Sequence, residues 1–128
     1  MATRENELST IEQQLREDLR GADQEINELD EQVKRFGETL ESAEGADNHP
    51  GDDSDRLAEQ ERLLTIRSQL AERKAEMEHA LSKVDDGTFG VCERCGQLIP
   101  SGRLEAIPFA RYCVECQEIV DRDGVAAT

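Results

Sequence analysis

Tryptophan is absent, tyrosine occurs once and phenylalanine three times in this chain of 128 residues. So little aromatic bulk excludes a thick globular core, because large rings supply much of the area such cores bury. Positive charge is also scarce. Fifteen Lys and Arg stand against 30 Asp and Glu, a formal net charge of −15. That balance excludes a chain held by nucleic-acid phosphates, which are neutralised by Lys and Arg, and it disfavours anionic membrane surfaces. A basic protein surface suits it better. No apolar run reaches the length that spans a bilayer, and the stretch Met1–Glu7 is too polar and acidic for a signal peptide. A cytoplasmic setting with reduced thiols is expected.

Hydrophobic residues, at 36%, are nearly matched by 35% charged residues, yet the apolar ones recur too regularly for disorder. An elongated, mainly helical protein satisfies both facts. From Leu8 to Leu40 they fall at Leu8, Ile11, Leu15, Leu19, Ala22, Ile26, Leu29, Val33, Phe36 and Leu40, in steps of three and four. From Leu19 onward the steps alternate, as in the a/d seam of a coiled coil. A second helical run is predicted from about Asp55 to Asp86. Its stripe is Leu63, Ile66, Leu70, Met77, Leu81 and Val84, with Leu57 and Leu64 alongside and Arg73 where an apolar residue is due. Gly87 suits a helix C-terminal cap.

The intervening Glu44–Ser54 holds two Gly and a Pro, which reads as a loop. So short a connection folds two helices back antiparallel as a hairpin; a parallel homodimer is the alternative. The expected organisation is a coiled-coil hairpin over 1–88 with an acidic tip loop at 44–55, a zinc-finger lobe over 89–120, and a flexible tail over 121–128. A monomer is expected.

Cys92-x2-Cys95 and Cys113-x2-Cys116 lie seventeen residues apart. Two such knuckles supply four thiolates, the ligand set of a closed tetrahedral zinc site. Gly96 follows the second cysteine, where the knuckle backbone turns sharply. Two disulfides would require an oxidising compartment, and a redox pair would require a βαβ setting. Neither has support in the chain. One structural zinc ion on Cys92, Cys95, Cys113 and Cys116 is therefore predicted. The segment from Phe89 to about Glu118 shows no core of its own, so its folding should depend on the metal.

Asp47, Asp52, Asp53 and Asp55 cluster at the loop. Acids before a helix also serve its N-terminal cap and dipole, and the spacing does not match an EF-hand. His49 reads as a turn former and His79 as a surface residue.

The stretches Asp86-Gly87-Thr88-Phe89-Gly90-Val91-Cys92-Glu93-Arg94-Cys95-Gly96 and Arg103-Leu104-Glu105-Ala106-Ile107-Pro108-Phe109-Ala110-Arg111-Tyr112-Cys113-Val114-Glu115-Cys116-Gln117, together with Ile99-Pro100, resemble the DksA/TraR family of bacterial zinc proteins. The resemblance implies a transcription regulator that binds RNA polymerase directly, without DNA contacts, and inserts its acidic hairpin tip into the secondary channel. The family's tip motif, Asp-x-x-Asp-x-Ala, falls on Asp52, Asp55 and Leu57, with leucine in place of alanine. Members that respond to ppGpp carry basic residues near the zinc–hairpin junction. Glu76, Ile107 and Gln117 fall at those positions, so that site is not expected to hold ppGpp. No catalytic residues are expected, because no nucleophile–base pair and no open metal position is present. An adaptor of the same fold that docks on another protein is the alternative. A zinc-finger DNA binder would need a basic stripe, which the mixed Arg and Glu of the lobe do not provide.

Overall fold

The computed structural model describes residues 3–42 and 50–124, and the side chains of 4–37 and 54–124. Among the described residues four helices follow in order: α1 (Thr3–Ser42), α2 (Pro50–Asp86), α3 (Ser101–Ala106) and α4 (Val114–Asp123). Among the described residues the extended pairing is limited to one isolated antiparallel bridge, Val91 with Leu98. No helix there is long and apolar enough to cross a membrane.

Helix α2 starts at Pro50, earlier than the predicted Asp55. Proline fits the first helical position, where its missing N–H has no partner to lose and its fixed φ is already helical. Asp52, Asp53 and Asp55 therefore lie on the opening turns of a helix, where its dipole favours them. His49 and the Asp52 side chain lie outside the described residues.

The chain divides into two compact units, one of residues 20–74 and one of 1–19 with 75–128. In the first, α1 and α2 run antiparallel. Asp30 pairs with Arg67 and Asp23 with Lys74, so seven residues back along α1 match seven forward along α2. These partly exposed ion pairs fix register more than they add stability. Between the helices Ala22, Ile26 and Leu63 are buried, and Leu29, Val33, Phe36, Ile66 and Leu70 are half-buried. Arg73 turns outward, and the half-buried Lys74 beside it reaches Asp23 at 2.8 Å. Leu57 and Leu64 stay exposed, off the seam.

The second unit does not follow the expected boundary at residue 88. Ile11 of α1 is buried in one cluster with Cys92, Ile99, Leu104, Tyr112 and Cys116, and Leu8, Phe89, Ala110, Cys113 and Val120 pack on it. The cysteine-bearing segment thus has a core, built partly from the start of α1. Ile99 and Leu104 are fully enclosed; each such side chain contributes roughly 1.5–3 kcal/mol through burial. Arg4 closes the edge, donating to Ser101 Oγ and to the Gly90 carbonyl, each at 3.2 Å. Toward the C-terminus, Asp121–Asp123 are the last turn of α4 rather than tail, and Gly124 caps it in a left-handed conformation.

Candidate metal centre

The cysteines are placed by turns that their flanking sequence dictates. Helix α2 closes with a Schellman cap, in which Gly87 N–H donates to Val84 O at 3.1 Å and Thr88 N–H to Lys83 O at 2.8 Å. The chain then reverses through the Val91–Leu98 bridge. Cys92 N–H donates to Gln97 O at 2.8 Å, Ile99 N–H to Gly90 O at 2.7 Å, and Gly96 N–H back to Cys92 O at 3.0 Å. Gly96 sits at φ +75, the left-handed geometry this knuckle needs. Cys113 is the N-cap of α4 and Cys116 lies in its first turn, so the helix dipole favours thiolates there. Glu93 N–H donates to Arg111 O at 2.8 Å, joining the two knuckles.

The four Sγ atoms lie within 4.8 Å of one another, and Cys95 Sγ stands 3.9 Å from Cys113 Sγ. Zinc–sulfur bonds of about 2.3 Å in a tetrahedron require sulfurs about 3.8 Å apart. All four cysteines are free thiols, and their spacing fits one zinc ion rather than two disulfides. Four protein ligands leave no position for water or substrate, the arrangement of a structural site.

The donors differ in environment. Cys92 and Cys116 are buried and Cys95 is exposed. Burial raises the Cys92 thiol, but backbone N–H groups of Cys95, Cys113 and Arg94 outweigh it and bring it down to about 6. Burial pushes Cys116 up to about 12, aided by its hydrogen bond with Cys113 and opposed by Arg94. Arg94 Nη1 stands 3.9 Å from Cys116 Sγ. A zinc ion held by these four sulfurs would keep them all as thiolates, Cys116 included, and Arg94 with the N–H donors would offset their negative charge.

Around the first knuckle Glu93 is a hub. His79 Nε2 lies 2.8 Å and Lys83 Nζ 3.3 Å from its Oε2, and Arg111 Nη1 lies 3.8 Å from Oε1. Burial raises the Glu93 carboxyl, but its hydrogen bond to His79 and the charge of Lys83 hold it below the usual range. His79 is therefore not the plain surface residue its sequence context suggests. Lys83, only 8% exposed, also donates to Val91 O at 3.0 Å. Arg111 grips Glu76 bidentately at 2.7 and 2.9 Å. Of the other two junction positions, Ile107 is exposed and Gln117 donates to Asp121 at 2.8 Å.

Of the tip residues, Asp55 and Leu57 are exposed on α2 within the 20–74 unit; they are not part of the cysteine cluster. Sequence reasoning passed over Arg4, Ala80 and Lys83. The one signal for the last two was position: Ala80 follows Met77 by three residues, Lys83 follows Ala80 by three, and so both stand on the buried face.

Residues 87–122 match the family described as prokaryotic dksA/traR C4-type zinc finger. General stress protein 16O of Bacillus subtilis is 37% identical over 109 residues, 85% of this chain and 63% of that protein. The RNA polymerase-binding transcription factor DksA of Escherichia coli K12 is 38% identical over 98 residues, 74% of this chain and 63% of that protein. The chain therefore spans less than two thirds of the length of these relatives. Transcription factor DksA2 from Pseudomonas aeruginosa shares the fold, with a TM-score of 0.65 over 94% of this chain and 87% of that one at 19% identity. With this match, these relatives and four cysteines spaced for one zinc ion, the chain belongs to the DksA/TraR family of C4-type zinc-finger proteins.

Proposed function

We propose that this protein is a transcription regulator that binds RNA polymerase directly, inserting the acidic start of α2 into the secondary channel. The observation that carries the reading is the opening of α2. Asp52, Asp53 and Asp55 follow one another within its first turns, and Leu57 beside them is 52% exposed. An acidic helical hairpin with an exposed apolar contact suits a basic tunnel in a protein. The chain's net charge of −15 works against duplex DNA, so no direct DNA contact is part of the proposal. The name of the E. coli relative, an RNA polymerase-binding transcription factor, supports the same partner.

The protein acts in the cytoplasm as a monomer and is not itself an enzyme: its zinc is structural and its acids work through the partner. Glu76 held by Arg111, with Ile107 and Gln117, offers no free cation for ppGpp, so regulation does not pass through that junction. Purified core polymerase, incubated with the wild type and with an Asp52→Asn, Asp55→Asn double variant, tests this. Both should bind, and only the wild type should change run-off transcription. Failure of the wild type to bind would hand the reading to an adaptor that docks elsewhere; the departure from the family's alanine at position 57, rather than the exposure of Leu57, is what favours that alternative.

A further inference from the structure

One groove of the 20–74 unit is unlike the rest of this acidic chain. It is open to solvent, offers about 450 Å³ and is lined by Gln32, Arg35 and Phe36 of α1 and by Arg56 of α2. Most cations with described side chains have partners: Arg16 holds Glu12, Arg62 holds Glu59, Arg67 holds Asp30, Lys74 holds Asp23 and Arg111 holds Glu76. Arg35 and Arg56, like Arg20, Lys34 and Arg73, have neither a hydrogen bond nor an ion pair among the described residues, and these two line the groove together. Phe36, the one Phe, Tyr or Trp of both long helices, is half-buried between them.

We propose that this groove binds a nucleoside phosphate, with the phosphates on Arg35 and Arg56 and the base against Phe36. Guanidinium forks match phosphate oxygens in geometry and charge. An aromatic face accepts a base by stacking, and the Gln32 amide can both donate to and accept from a base edge. The volume falls in the range of small-ligand sites, about 300–1,000 Å³. A bare inorganic anion would leave the Phe36 wall unused, and an apolar ligand would strand two cations. A nucleic-acid strand would meet repulsion from a chain of net charge −15, whereas a mononucleotide concentrates its charge where the two arginines are. The site lies within residues 20–74 and does not depend on polymerase binding.

The test uses the full-length zinc-loaded protein without polymerase, titrated calorimetrically with ATP, with pyrophosphate and with a short single-stranded oligonucleotide. Saturable ATP binding is expected. Arg35→Gln and Arg56→Gln should each weaken it about tenfold, the effect of losing roughly 1.5 kcal/mol of charge-assisted hydrogen bonding. Phe36→Leu should weaken ATP and leave pyrophosphate unchanged, with Phe36→Met as a second variant should the first lower the melting temperature. Absence of saturable ATP binding, indifference to both arginine variants, a Phe36 variant without effect on ATP, or tighter binding of the oligonucleotide than of ATP would each overturn the proposal. Because polymerase is absent, these outcomes are independent of the regulatory reading.

Discussion

Arg4 donates from Nη2 to the carbonyl of Gly90 at 3.2 Å, tying the first turn of α1 to the residue two before the first zinc cysteine. The close approach leaves little room at Gly90. A Cβ there would stand 3.2 Å from Arg4 Nη2 and 3.3 Å from Leu8 Cδ2, at a φ of +85 that L side chains rarely adopt. Gly90→Ala should therefore destabilise the zinc-loaded protein by about 1–3 kcal/mol. Gly21 is the contrast, since it lies inside α1 with nothing within 4 Å of a built Cβ; Gly21→Ala should stabilise by about 0.5–1 kcal/mol. Urea unfolding of both variants checks the pair, and equal shifts of the same sign would contradict the packing described for Gly90.

Removing zinc should loosen the unit of residues 1–19 with 75–128 first. Ile11 is buried in one cluster with Cys92 and Cys116, so loss of the metal that holds those cysteines exposes the start of α1 as well. The seam around Ala22, Ile26 and Leu63 contains no metal ligand. Amide hydrogen exchange after chelation is expected to show lost protection at 8–15 and 89–120 with protection retained at 22–33. Retained protection at 8–15 would contradict the shared core.

Lys83 is a buried cation with two partners, Val91 O and Glu93. Lys83→Met keeps the stem but leaves a carbonyl and a carboxylate short of a donor, at a cost of about 1–3 kcal/mol. Glu76→Ala breaks a bidentate pair whose side chains are each about a third exposed, and screening limits that loss to about 1 kcal/mol or less. Thermal unfolding of the two variants gives the order, and a larger loss from Glu76→Ala would reverse the ranking of burial over ion-pair geometry.

Much of the fold is legible in the sequence because it is written in period. The steps from Leu8 to Phe36 mark the buried face of α1, and the two Cys-x2-Cys pairs mark the four cysteines whose sulfurs come together. What escaped is not periodic. Arg4 and Gly90 meet from opposite parts of the chain, and no local pattern marks such a contact. The lobe's core was missed because its contribution from α1, Leu8 and Ile11, reads as ordinary seam. Pro50-Gly51 suggested a loop, yet proline at a first helical position starts a helix as readily as it ends one. His79 carries no sign of its role and Lys83 only its place on the buried face, since the partners of both depend on where Glu93 is placed by the first knuckle.

The most direct test of polymerase engagement is a photo-crosslink from the exposed Leu57 position, with a photoreactive amino acid incorporated there and the protein bound to core RNA polymerase. The expected crosslink falls on residues lining the secondary channel and is lost when the channel is blocked by another bound hairpin factor. A crosslink confined to the outer surface of the enzyme, or none in a complex that still co-purifies, would contradict insertion of α2.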